Sequence, residues 1–180
     1  VPDIVEVIKE QHRQVDELLE EATHDGVDKA AILHEVHRML LPHSEAEEDF
    51  VYPAIRAKAA EAGEEVVDGT VEHHQVEELM QNLLRSDPDR PGWDGTLAAI
   101  IGELRHHVEE EEEELLPILE KSFSADEREA MGRRFVEATT GKLPDHHHTK
   151  SELYDLAREQ DIPGRSGMSK DELAEAVGEA

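Results

Sequence analysis

Two short patterns in this chain place a histidine and a glutamate four residues apart, His43-x-x-x-Glu47 and His107-x-x-x-Glu111. In each, a proline follows the glutamate by six residues, Pro53 and Pro117. Two further histidines stand in matched surroundings, Gln11-His12-Arg13-Gln14-Val15 and Glu72-His73-His74-Gln75-Val76. Neutral imidazole is a good nitrogen ligand, and carboxylate suits hard cations and can span two of them. Four imidazoles and two carboxylates therefore have the inventory of a two-metal site. A mononuclear zinc site needs only about four ligands.

These residues must be brought together by helices. Positions three and four apart share a helical face. A first helix is expected from about Asp3 to Ala22, with Asp3 as its N-cap, and His12 falls in phase between Ile8 and Val15. A second is expected from about Asp28 to Ala60, with Pro42 producing a kink or local distortion. Its stripe is Leu33, Val36, Leu40, His43, Glu47, Phe50 and Ala54. Ala62, Gly63 and Gly69 bound the next connection, and a third helix is expected from Thr70 to Arg85. A fourth runs from about Asp94 to Leu119, with Leu97, Ile100, Leu104, His107, Glu111, Leu115 and Ile118 inward. A fifth, short helix starts at the Ser124/Glu127 capping box. The helix pair thus occurs twice, and the features common to both copies include His and Glu as well as apolar positions.

Unpaired buried carboxylates cost several kcal/mol each, so their convergence in an apolar bundle calls for cations. Taken singly, each residue is as readily a hydrogen-bonded core histidine or a solvated glutamate; the repeated constellation carries the metal reading. Within the acidic run Glu109–Glu114 only Glu111 is read as inward, on phase. His74 and His106 adjoin the candidate ligands, as supporting partners or as ligands if the register is off by one. His24, His34 and His37 read as surface residues, and His146, His147 and His148 as part of a solvated linker.

Composition narrows the class. The chain has 180 residues, 45 Asp plus Glu against 18 Lys plus Arg, a formal charge of −27, and no Cys. Zinc–thiolate sites, disulfides and cysteine nucleophiles are excluded, and no strand-like alternation is found. No apolar stretch approaches a membrane span of roughly 20 residues, and no signal-peptide pattern opens the chain, so a soluble cytoplasmic protein is expected. The acidity argues against a general phosphate-binding surface. The fold class expected is all-α: an up-down-up-down four-helix bundle with a fifth short helix and a small C-terminal helical module. The boundaries expected are 1–140 for the bundle, 141–149 for a linker and 150–180 for the tail.

On His12, His43-x-x-x-Glu47, Glu72-His73-His74 and His107-x-x-x-Glu111, residues 3–140 resemble the hemerythrin-like, HHE cation-binding family. The resemblance implies a non-haem di-iron centre bridged by Glu47 and Glu111, with His12 and His43 on one iron and His73 and His107 on the other. It implies two iron ions, oxo- or hydroxo-bridged, with manganese or zinc as alternatives. Family members that carry oxygen reversibly have a second His four residues after the third-helix His and an Asp five after the fourth-helix His. Here Glu77 and Glu112 stand there, leaving Glu77, His74 or water to complete the ligands of the second iron. Such an oxygen-rich set favours binding of, or reaction with, a small ligand (oxygen, nitric oxide or peroxide) over reversible oxygen carriage. The alternative is an iron- or redox-responsive regulatory module signalling through its tail. Residues 149–177, on Ser151–Arg158 and Ile162–Leu173, resemble the Rho N-terminal type of helix–loop–helix, which implies protein docking, with nucleic-acid contact through Arg158, Arg165 and Lys170 as the lesser reading.

Overall fold

The computed structural model describes residues 3–140 and, beyond them, Tyr154, Ala157, Arg158, Gln160, Ile162 and 168–177. The chain divides into two compact units, 1–139 and 140–180. Among the described residues every regular element is a helix, and none is long and apolar enough to cross a membrane.

Helix α1 (Ile4–Glu21) starts where Asp3 accepts a hydrogen bond from the Val5 amide at 3.0 Å. Helix α2 (Lys29–Ala46) is capped in the same way, Asp28 accepting from the Ala31 amide. Helix α2 stays α-helical through Pro42, so the distortion expected at that proline does not occur there. It occurs five residues later, as a π-helical turn over Glu47–Val51 that leads into α3 (Tyr52–Lys58). Helix α4 (Gly63–Leu84) follows, then α5 (Trp93–Glu110), a second π-helical turn over Glu111–Leu115, and α6 (Leu116–Ser122). Helix α7 (Ala125–Thr140) closes the first unit behind the reciprocal Ser124/Glu127 capping box.

Both π-turns have the same local cause. Pro53 and Pro117 lack an N–H, and their rings crowd the carbonyl four residues back. The ladder widens just before each proline, and the amides of Tyr52 and Leu116 reach five residues back, to Glu47 and Glu111. Each turn inserts one residue, and the apolar stripe slips by one. Tyr52 and Ile55 are fully buried where the period predicts Ala54. Leu116 and Leu119 are likewise buried, while the predicted Ile118 only packs against that core from its edge.

The third helix corrects a boundary. Gly63 begins α4 and Gly69 lies within it, although both read as breakers in the sequence. Gly69 is buried, and the Tyr52 hydroxyl would lie 3.1 Å from a Cβ added there, which favours glycine. The α4–α5 connection is anchored by buried Trp93, whose indole N–H donates to the Leu83 carbonyl at 3.3 Å.

Burial separates the first unit into two apolar cores. One gathers Ile4, Ile8, Phe50, Ile55, Leu119 and Phe135. The other gathers Val15, Leu19, Val36, Met80, Trp93 and Ile100. Between them in sequence lie His12, His43, Glu47, His73, His107 and Glu111, the buried polar or charged side chains among the described residues. Helix α7 reaches this layer through Phe135, which meets His43 edge-on at 5.3 Å.

In the second unit, a helix over Lys170–Val177 is capped by Ser169 and Glu172. Ala157 and Leu173 form its small core, with Tyr154, Ile162 and Met168 against it. The expected linker 141–149, with its three histidines, and Arg165 lie outside the described residues.

Phe135 is fully buried against both Phe50 and His43. Truncating it to alanine is expected to lower the unfolding free energy by about 3–5 kcal/mol, measured by urea denaturation of the metal-free chain.

Candidate metal centre

The six side chains of the polar layer form two joined groups. His12, His43, Glu47 and Glu111 bring ligand atoms within 4.8 Å of one another, and Glu47, His73 and His107 do the same. Glu47 belongs to both. Its Oε1 lies 3.0 Å from His43 Nε2, and its Oε2 lies 3.3 Å from His73 Nε2. Glu111 Oε2 lies 3.3 Å from His12 Nε2. The Nε2 atoms of His73 and His107 stand 2.9 Å apart.

Each imidazole is aimed inward by what holds its other nitrogen. Nδ1 of His12 donates to Glu112 at 3.0 Å, and Nδ1 of His73 to Glu48 at 3.1 Å. Nδ1 of His43 donates to Gln11 at 2.9 Å, and Nδ1 of His107 to Glu72 at 2.8 Å. Such outer hydrogen bonds fix the ring and its tautomer in metal sites. They obey the internal repeat. The residue after each buried glutamate holds a histidine of α1 or α4, and the residue before His12 or His73 holds the histidine of the next long helix.

The inner face lacks donors. Both oxygens of Glu47, both oxygens of Glu111, and His12 Nε2 are buried with no hydrogen-bond partner. Glu47 is 0% and Glu111 2% exposed. Carboxylate oxygens and imidazole nitrogens that face one another without hydrogen-bond geometry are a donor set suited to hard or borderline cations. The residues present therefore fit the group.

Without a cation, protons take over part of that role. Burial would push the His12 and His73 imidazoles down, but Glu111 and Glu112 around His12, and Glu47 and Glu48 around His73, raise both to about 10. Glu47 is held well below the usual carboxylate range by His43 and His73 despite its burial. Glu48, partnered by His73 and His74, is likewise brought down to about 2 against the effect of its burial. His107 is lowered by burial and by the charge on His73, so His73 donates and His107 accepts across their short contact.

Two candidates from the sequence stay outside the groups. His74 is more than half exposed and touches the far oxygen of Glu48 at 3.3 Å. Glu77 lies one residue beyond the buried Val76, and its Oε1 accepts from Gln81 at 3.4 Å. His106 is exposed beside Glu110. His24 and His34 are on the surface, and His37 is half-buried.

Five participants escaped sequence reasoning: Gln11, Glu48, Glu72, Glu112 and Tyr52. The first four each adjoin a candidate ligand and recur at equivalent places in the two halves, which is the signal that could have found them. Tyr52 has no such echo, since the equivalent position is Leu116. Its ring stacks on His73 at 5.7 Å and 9°, and its hydroxyl is buried without a hydrogen-bond partner. Burial and the nearby charges of Glu111 and Glu47 push that phenol's pKa far up, so it remains a proton donor.

Residues 3–119 match the family described as Hemerythrin HHE cation binding domain. An uncharacterized hemerythrin-like protein of Schizosaccharomyces pombe is 31% identical over 110 residues, 61% of this chain and 54% of that protein. A DNA nickase of Nostoc sp. is 24% identical over 139 residues, 76% of this chain and 39% of that protein. The chain thus spans about half or less of the length of these curated relatives. No solved structure matches.

Two outcomes test this geometry. Glu48→Ala and Glu112→Ala should each weaken metal affinity by about 10–100-fold, while Glu113→Ala, exposed on the same run, should not, as read by competition with a chromophoric chelator. The metal-free chain should lose stability as pH rises from about 6.5 to about 10, because the raised pKa values of His12 and His73 contribute fully only below the unfolded value. Melting temperatures in chelator at pH 6, 8 and 10 check the sign.

Proposed function

Because the chain belongs to the hemerythrin HHE cation-binding family, we propose that it holds two iron ions and binds or reacts with a small ligand: oxygen, nitric oxide or peroxide. The observation that carries the reading is Glu47, whose two oxygens belong to two separate groups of ligand atoms. When bound, a pair of irons supplies electrons and open coordination positions to such a ligand. The protein's part is positioning and exclusion. His12, His43, Glu47 and Glu111 offer four ligand atoms on one side, against three from Glu47, His73 and His107 on the other. The poorer side is where a small ligand has room. It is also the side on which Tyr52 stacks against His73. Its hydroxyl, buried without a partner, would be the proton donor for a ligand held there.

A second reading has a specific observation behind it. Gln11 accepts from His43 Nδ1 and donates to the Thr139 hydroxyl at 2.9 Å, joining the centre to the C-terminal end of α7. On this reading a change at His43 would pass through this link and Phe135 to α7, and the segment after α7 would report it to a partner. This is the iron- or redox-responsive regulatory role, with a Rho N-terminal-like tail as the docking element. DNA nicking, in the name of the Nostoc relative, is not part of either reading. A chain of charge −27 repels phosphate.

The full chain, loaded anaerobically with ferrous iron and passed through a desalting column, should retain two irons and develop a new visible band with nitric oxide. Glu47→Ala should remove both irons. Fewer than one iron per chain, or retention by the variant, would overturn the two-iron reading; iron without a spectral response would overturn the ligand. Parallel loading with manganese and zinc ranks the metals.

A further inference from the structure

Two approaches lead from solvent toward the centre, and they differ in charge. On the α4–α5 side is a cavity of about 210 Å³. Glu64, Glu65, Asp68, Glu72, Glu110 and Glu114 line it, and among the described residues no Lys or Arg does. It extends to His107 and Glu111. Glu111 is 2% exposed and both its oxygens lack a hydrogen-bond partner, so the cavity reaches an unpartnered buried carboxylate of the centre. Glu65 adds one more buried oxygen without a partner. Exposed His106 and Glu110 and half-buried Glu72 bring ligand atoms within 4.8 Å of one another at this same place. On the α1–α5 side, the groove reaching His12 carries Lys9, Arg13 and Arg105 among its acidic residues.

We infer that the acidic cavity is the channel through which a divalent cation reaches the buried centre, with Glu72, His106 and Glu110 as its outer docking point. The inference rests on the two-cation reading above. A divalent ion surrenders bound water only in exchange for other oxygen or nitrogen ligands. This wall offers them in sequence, from Glu110, His106 and Glu72 outside to Glu111 and His107 inside. Glu72 already accepts from His107 Nδ1, so the docking point adjoins an inner ligand. Clefts lined by one sign of charge raise the local concentration and on-rate of the opposite ion.

The test mixes the metal-free full chain with cobalt(II) in a stopped-flow instrument and follows its visible absorption. Asp68→Asn/Glu114→Gln should slow loading by about 5–10-fold and weaken its salt dependence. His106→Ala/Glu110→Gln should slow it similarly. Glu109→Gln/Glu113→Gln removes the same charge from the opposite groove and should load within about twofold of wild type. All should reach the wild-type final cobalt content. Equal rates in every variant, or equal slowing by both carboxylate pairs, would overturn the channel while leaving the two-cation reading intact. A wild-type chain that retains no cobalt would overturn both.

Discussion

Both oxygens of Glu47 and both of Glu111 are buried inside this bundle without a hydrogen-bond partner. That one fact constrains the rest of the structure. Glu47 is 0% and Glu111 2% exposed, so water does little to solvate either carboxylate. Their attraction to the facing imidazoles offsets the desolvation only while those imidazoles are charged or share a cation. The outer acceptors Gln11, Glu48, Glu72 and Glu112 serve the same end. Each takes the Nδ1 proton of an imidazole, so Nε2 can point only inward. The layer is therefore built around a positive charge, and protons are its weaker substitute.

The internal repeat explains the near-symmetry, and its exceptions show where chemistry differs. Glu48 and Glu112 are equivalent. Gln11 and Glu72 are equivalent in place but not in charge, so His107 is held by an anion and His43 by a neutral amide. Tyr52 and Leu116 are equivalent in place but not in polarity. The second ligand group, poorer by one atom, thus has the anionic outer partner, the phenol and the acidic cavity on its side. The first group has Phe135 and the amide of Gln11 against His43.

The inward face of the site was legible because helical phase is a local property. His12 between Ile8 and Val15, and His107 between Leu104 and Leu115, are placed by a 3.6-residue period that needs no tertiary information. The π-turns were not legible. A proline signals a missing donor, but whether the helix kinks at Pro42 or widens before Pro53 depends on what the neighbouring helices require. Hence Ile55 and Leu119 are core residues where Ala54 and Ile118 were expected. Gly69 misled for a related reason: glycine usually marks flexibility, and here it makes room for Tyr52. Within Glu109–Glu114, Glu111 was identifiable by phase. The role of Glu112 was not, because it turns on the position of His12 in another helix.

A centre of this kind ties cation binding to folding. With the cations gone, two imidazolium ions at His12 and His73 hold the two glutamates. Rising pH removes those protons and leaves the carboxylates unpaired, while the same change favours metal ligation by neutral imidazole. Protons and cations therefore stabilise one fold over opposite ranges of pH. Helix α7 is joined to this competition at two points, by Phe135 against His43 and by Thr139 through Gln11. Both act on His43, a member of the first group. His43 thus links that group to α7 by one packing contact and one hydrogen-bonded path. His73 and His107 of the second group make neither contact, so on the proposed reading a small ligand bound there would leave α7 undisturbed.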